Sequence, residues 1–228
     1  MRTVAILPVK SFGRAKQRLG HAFPDRPALA AAMVADVLDA LAAVPSLDGV
    51  IVVTAEPIAA EIARGMGASV VHDPAETGQS DAAARGIDAA LGRLVDRAGG
   101  VVMDADAVRA DRILLVPGDC PALDPDEVEA LLARTASVVI VPDRHGTGTN
   151  ALLLAPPGVM TPAFGEGSFA RHSALARAAG AEPDVADVRT LGLDVDTPDD
   201  LAALKRALEA FPGGAIRTRA LLEQAAVA

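Results

Sequence analysis

Apolar and polar positions along this chain fall into blocks whose period changes. Val4 to Leu7 is a short apolar run, the pattern of a buried strand, and Pro8, which cannot donate to a ladder, is expected to end it. Between Pro24 and Val44, the residues Met33, Val37, Leu41 and Val44 recur at helical spacing, with Asp25 placed to cap and Pro27 in the first turn. Gly49 to Val53 reads as a second buried strand, Pro57 to Met66 as a short helix, and Ser69 to Val71 as a short third strand. The polar run HDPAETGQS follows, with Gly78 as its turn glycine, and then a long Ala-rich helix over Asp81 to Ala98. Residues 99–112 fit either an extra strand or an irregular connection. Ile113 to Val116 is the next strand, and Pro125 opens a helix carrying Val128, Leu131 and Leu132. Ser137 to Val141 and Ala151 to Leu154 are strands, and Gly165 to Ser168 precede a helix through Leu175. Leu191 to Val195 reads as a last strand, followed by a helix whose start carries Thr197, Pro198 and Asp200 as a capping set.

Strands alternating with helices predict an α/β fold with a mostly parallel sheet and helices on both faces. One domain is expected over residues 1–211, with 212–228 as a C-terminal tail in which a further helix is left open. The 228 residues suit a single domain of this class. Hydrophobic residues make up 51% with no Trp, no Tyr and five Phe, so the core is aliphatic. A formal net charge of -9 argues against non-specific nucleic-acid binding, which needs a basic footprint. A local cationic cluster on an acidic protein can still hold one anionic ligand. Cys120 is the only cysteine, which excludes an internal disulfide and a cysteine-rich metal site. The apolar runs are shorter than a membrane span and the N-terminus lacks a signal-peptide pattern, so a soluble cytoplasmic protein without a membrane partner is expected.

The candidate chemistry begins where the first strand ends. Lys10, Arg14, Lys16 and Arg18 fall within nine residues around Ser11 and Gly13, at the carboxyl edge of strands where such sheets bind ligands. A solvated cationic face is the plain alternative, and the spacing matches neither a P-loop nor a dinucleotide fingerprint. Asp119, in PGDCP after a buried strand, reads either as a turn residue or as a hard oxygen ligand suited to magnesium. Asp194 and Asp196 alternate along the chain, and either could join Asp119 around that ion, Asp196 also being explained as a turn residue before Pro198. The run from Gly146 to Asn150 is a hairpin turn or a backbone approach to an anion. Ser168 is a simple helix cap or part of a phosphate site, while Arg171 and His172 read as solvated surface.

Taken in order, LPVKSFGRAKQRL, PGDCPAL, DRHGTGTNALL, FGEGSFARH and LGLDVDTPDDL resemble the CofC/FbiD family of guanylyltransferases, over residues 3 to about 205. The DRHGTGTN segment followed by FGEGSFARH is the specific part. The resemblance implies a three-layer nucleotidyltransferase fold of the GT-A-like group and a role in making the deazaflavin coenzyme F-420. It implies transfer of GMP from GTP to phosphoenolpyruvate or 2-phospho-L-lactate, with magnesium. The Ala- and Arg-rich composition suggests a GC-rich genome and, through the resemblance, phosphoenolpyruvate. By the same resemblance Thr149, Gly165 and Ser168 would hold the three-carbon acid, largely through main-chain N–H groups. Asp119 and Asp194, with Asp196 as a less firm third, would bind the metal. Lys10 and Lys16, supported by Arg14 and Arg18, would wrap the nucleotide phosphates, and Gly78, Gln79 and Ser80 would sit where relatives read the base. A related transferase acting on a sugar phosphate or molybdopterin is the alternative, disfavoured by the absence of a GxGxRxG-type loop. Coupling to a downstream transferase and a homodimer are further partners that the resemblance leaves open.

Overall fold

The computed structural model describes residues 1–93, 109–210 and 213–227, with the side chains at 14, 21, 22, 226 and 227 outside that description. A seven-stranded sheet runs in the order β3-β2-β1-β4-β6-β5-β7. Its strands are β1 (Thr3–Val9), β2 (Gly49–Thr54), β3 (Ser69–His72), β4 (Arg112–Leu115), β5 (Val138–Pro142), β6 (Thr149–Leu154) and β7 (Asp184–Val185). β3, β2, β1 and β4 are parallel, β6 is antiparallel to both β4 and β5, and β7 pairs parallel with β5. The helices are α1 (Arg26–Ala42), α2 (Pro57–Gly65), α3 (Gln79–Ala90), α4 (Pro125–Leu132), α5 (Ser168–Ala178), α6 (Pro198–Ala210) and α7 (Ile216–Val227).

Strand alternation divides the core between the two faces. Ala5, Leu7 and Val9 pack with residues of α1, α2 and α4, whereas Val4 and Ile6 pack with residues of α3 and α5. On the second face, the α3 backbone comes so close that a Cβ on Gly86 would lie 2.4 Å from Ile6 Cγ2. A third cluster joins Leu19, Phe23, Met33, Leu201, Leu204, Leu208 and Leu222, and seats α6 and α7 against α1. Asp36 of α1 accepts the N–H groups of Arg217 and Thr218 at 3.1 and 2.8 Å. A buried carboxylate thereby caps α7, where the helix dipole favours it.

Three sequence expectations change. β1 runs through Pro8 to Val9. Along a parallel strand, backbone groups face alternate sides, and Ile6 O accepts Val116 N–H on the β4 side. Pro8 faces that same side, beyond the last β4 pairing at Leu115, so its missing N–H breaks no ladder bond. The helix expected over Asp81 to Ala98 starts at Gln79 and stops at Ala90, because Gly92 takes φ 67° and its N–H, with that of Arg93, closes back on Ala89 and Asp88. The remainder of that expected helix, 94–98, lies outside the described residues, as does 99–108 of the ambiguous stretch. Leu191 to Val195 is not a strand. Its backbone is claimed by loops instead: Leu191 O accepts from Asn150 Nδ2 and Cys120 Sγ, and Val195 N–H donates to Asp119 O.

Candidate active site

The carboxyl ends of β1, β4 and β3, with the start of β6, open onto a cleft of about 410 Å³. Lys10, Lys16, Gly78, Gln79, Asp119, Thr149, Asp194 and Asp196 all line it. Residues drawn from positions 10 to 196 thus meet in one place: Lys10, Lys16 and Asp119 follow strands that end at this edge of the sheet, Thr149 opens β6 there, and the loop carrying Asp194 and Asp196 is held to it by Asn150 and Asp119.

The loop after β1 turns through two short 3-10 segments, Phe12–Arg14 and Gln17–Ala22, with Lys16 between them in the left-handed region at φ 56°. Such a conformation costs a β-carbon residue about 1–2 kcal/mol, and the Lys16 side chain provides the offset. It is 3% exposed, and Nζ lies 2.5 Å from Asp119 Oδ2 and 3.0 Å from Asp196 Oδ1. Burial alone would lower the Lys16 ammonium, but the two carboxylates outweigh it and hold it above its ordinary value. Asp196 moves the opposite way: burial would raise it, yet Lys16, Lys10 and Arg18 hold it below the usual carboxylate range. Two carboxylates pin the start of the loop. Glu76 Oε1 accepts Ser11 N–H at 2.6 Å and Ser11 Oγ–H at 2.7 Å, and Glu56 Oε2 accepts Phe12 N–H at 2.9 Å. Arg18 is exposed and acts on the cleft through its charge on Asp196. The side chain of Arg14 lies outside the described residues.

The donor set at the centre fits a hard divalent cation. Asp119 Oδ1 is buried and accepts no hydrogen bond, an arrangement that costs free energy unless a positive group satisfies it. Asp194 is pushed up to about 6 by burial and then by the charge of Asp119, against a hydrogen bond from Asn150 Nδ2 at 3.0 Å. Two carboxylates that repel one another at neutral pH favour a cation between them. Among the described residues no group of three His, Cys, Asp or Glu side chains is placed to form a protein-only cage. A cation here would complete its shell with substrate phosphates and water, as magnesium does.

The opposite wall is built from neutral groups. The hairpin between β5 and β6 folds around Asp143, whose carboxylate accepts the N–H groups of His145, Thr147 and Gly148. A Cβ on Gly148 would stand 2.6 Å from Asp143 Oδ2, so a side chain there would displace the carboxylate that orders the turn. Thr149 N–H donates to Ser168 Oγ at 2.9 Å, in the first turn of α5. The resemblance offered main-chain N–H groups to the three-carbon acid; that of Thr149 is already satisfied by Ser168, while the residue lines the cleft. His172, read from sequence as solvated surface, is fully buried. Its Nε2 accepts Ala163 N–H at 2.8 Å, which places the ring proton on Nδ1, 2.9 Å from Thr149 Oγ1. Burial, then the charge of Arg171, lowers His172 to about 4, so the ring is neutral. Thr149 Oγ1 accepts that proton, and its own hydroxyl hydrogen is not used in a described hydrogen bond.

Gly165 and Ser168 are not among the residues that line the cleft: Ser168 is buried against Thr149 and Gly165 is exposed. Ser80 is likewise engaged elsewhere, its Oγ accepting Phe164 N–H at 2.8 Å, whereas Gly78 and Gln79 do face the cleft. Sequence reasoning missed Asn150, His172, Glu56, Glu76 and Asp73. Asn150 and His172 stood inside quoted motifs and Asp73 and Glu76 inside the polar run HDPAETGQS, yet nothing local set them apart from their neighbours; Glu56 carried no local signal.

Residues 3–206 match the family described as guanylyl transferase CofC like. A phosphoenolpyruvate guanylyltransferase of Conexibacter woesei is 47% identical over 98% of this chain and 96% of its own length. One from Sphaerobacter thermophilus is 38% identical over 90% and 93%. Among solved structures, a nucleotidyl transferase from Methanothermobacter superposes with a TM-score of 0.60 at 18% identity, over 92% of this chain and 99% of that one. A cytidylyltransferase from Leptospira borgpetersenii superposes at 0.56 and 17% identity, over 98% and 93%. These likenesses establish a nucleotidyltransferase fold. Among the described residues no helix is long and apolar enough to cross a membrane.

Proposed function

We propose, on the premise that this chain belongs to the guanylyl transferase CofC-like family, that it transfers GMP from GTP to phosphoenolpyruvate in deazaflavin coenzyme F-420 biosynthesis. The observation that carries the reading is the cleft in which Lys10, Lys16, Asp119 and Asp194 meet Thr149, whose hydroxyl is paired with the neutral His172 ring. The names of the relatives supply the acceptor.

A phosphate monoester has a second pKa of about 6 and is mostly dianionic at neutral pH, so its oxygen attacks the α-phosphorus without a general base. The new bond joins the acceptor phosphate oxygen to the α-phosphorus. The bond from the α-phosphorus to the bridging oxygen breaks, and pyrophosphate leaves with that electron pair. The task left to the protein is to bring polyanions together and hold them in line. Thr149 donates to the acceptor from the neutral wall, held by His172 and Ser168. Lys10 lies at the cleft mouth to neutralise charge on the leaving pyrophosphate. Lys16 stays protonated well above neutral pH and moves between Asp119 with Asp196 and the phosphates. Asp119 and Asp194 would hold magnesium, which when bound supplies Lewis-acid neutralisation of the phosphate oxygens.

Pyrophosphate release with GTP and magnesium tests the reading, comparing phosphoenolpyruvate with 2-phospho-L-lactate in the presence of the enzyme that consumes the product. Turnover dependent on phosphoenolpyruvate is expected. Preference for phospholactate would change the acceptor and keep the chemistry, and silence with both acceptors would overturn the proposal.

A further inference from the structure

At the β3 end of the cleft stands a carboxylate that neither the fold nor the proposed phosphate chemistry uses. Asp73 follows β3 directly, is 8% exposed, and lines the cleft. Its backbone N–H is spent on Thr54 O at 3.0 Å. No described donor reaches its carboxylate. Its neighbours differ. Glu76, also on the cleft wall, is committed to Ser11, and Glu56 to the loop backbone. Its oxygens are reached from the cleft and have no protein donor, so a ligand seated there can supply one.

Position indicates which part of the ligand that is. The strand order β3-β2-β1-β4 sets Asp73 three strand spacings from the β4 end, where Asp119 stands, or roughly 14 Å. With the phosphates at Lys10, Lys16 and Asp119, a ribose and a base extend along the sheet edge toward β3. Guanine is the one common base that presents two adjacent donors, N1–H and N2–H₂, on its pairing edge. Adenine and cytosine place an unprotonated ring nitrogen beside their amino groups, and uracil flanks its single N–H with carbonyls. A carboxylate facing those edges meets lone pairs, whereas the two oxygens of one carboxylate accept both guanine donors.

We propose that Asp73 is the base-reading residue of this cleft, its free carboxylate at the end of β3 accepting N1–H and N2–H₂ of guanine and so selecting GTP among the nucleoside triphosphates. The assignment rests on GTP being the donor. It shifts base recognition from the Gly78 to Ser80 segment, whose serine is engaged with Phe164, to the residue that precedes that segment.

Calorimetric titration of the full-length protein and of Asp73→Asn with GTP, inosine triphosphate, xanthosine triphosphate and ATP tests it. Inosine lacks N2–H₂, so the wild type is expected to bind inosine triphosphate about tenfold more weakly than GTP; this arm needs no variant. Asp73→Asn is expected to lose about 10- to 100-fold in GTP affinity, the range of a charged hydrogen bond. Its amide offers N–H to the C2 carbonyl of xanthine and accepts from N1–H, so the variant gains on xanthosine triphosphate. Thermal unfolding of the two proteins checks that the variant is folded. Equal loss on every nucleotide would place Asp73 on the ribose or in the scaffold and overturn the base role. A GTP-preferring wild type whose preference survives in a folded Asp73→Asn also overturns it, leaving the guanylyl reading intact. A wild type indifferent to the base overturns both.

Discussion

The parallel half of the sheet and the antiparallel half meet the cleft with different materials. β1 and β4 deliver ions: Lys10 and Lys16 follow the first strand and Asp119 the fourth, and Lys16 bonds Asp119 at 2.5 Å. β6 delivers neutral donors held from behind, a chain that runs from Ala163 N–H through His172 to Thr149, with Ser168 holding the Thr149 backbone. The difference follows from what each side must do. Charge that develops on a leaving group calls for full charges in a water-poor site. A small phosphorylated acid that must stay put and stay nucleophilic is better held by oriented neutral dipoles, which do not compete for its electrons. Substitutions on the two walls are expected to fail in different ways.

The largest effect is expected from Asp119→Asn on the ionic wall. It removes the carboxylate whose Oδ1 is buried without a partner and whose Oδ2 holds Lys16. Turnover should fall by orders of magnitude with little change in the folded state, read by steady-state kinetics beside circular dichroism. Near-normal turnover would sink the metal role. Lys16→Met comes next. Breaking a fully buried pair costs about 3–5 kcal/mol, and since the Asp196 side chain is 44% exposed, solvent screening reduces the expected loss to about 2 kcal/mol. Chemical denaturation measures it, and the KM for GTP should rise in parallel.

On the neutral wall, His172→Asn should raise the KM for the acceptor about tenfold while that for GTP stays. It also has a pH signature. The folded His172 value of about 4 lies below the ordinary 6.5, so between those values the unfolded chain binds the extra proton. Stability therefore falls as pH drops from 6.5 toward 4, by up to about 1.4 kcal/mol per unit from this group. Denaturation curves of the wild type across that window should contain this slope and those of the variant should lack it. Ser168→Ala is the mildest change. It frees one buried N–H, costs about 1 kcal/mol, and should shift acceptor KM only a few-fold.

The same division explains what the sequence made legible. Lys10, Lys16 and Asp119 advertise themselves as ionisable residues just past buried strands, and Asp194 and Asp196 as closely spaced acids before a helix. The strands β1, β2 and β4 and the helix α1 were visible in their periodicity, and the cap at Asp25 does accept Ala28 N–H at 3.1 Å. The neutral wall was not visible. A histidine on a helix looks alike whether it meets water or a buried threonine, and His172 declares itself only when Ala163 and Thr149 close on its two nitrogens. Leu191 to Val195 mimicked a strand because Leu191, Leu193 and Val195 alternate with Gly192 and Asp194, while Asn150 and Cys120 do at Leu191 what a neighbouring strand would do. The two-residue β7 is too short to show any period. Asp73 looked like one polar residue in a polar loop, and only the folded structure, which ties Glu76 to Ser11, separates the two.

The measurement closest to the central claim follows the α-phosphate itself. GTP radiolabelled at the α-phosphorus is incubated with the full-length protein, magnesium and phosphoenolpyruvate, and the products are resolved together with pyrophosphate. The account requires the label to appear in a mixed diphosphate joining guanosine to the acid, in step with pyrophosphate. Label that stays in GTP, or that moves to an acceptor only when another nucleoside triphosphate is supplied, would contradict it.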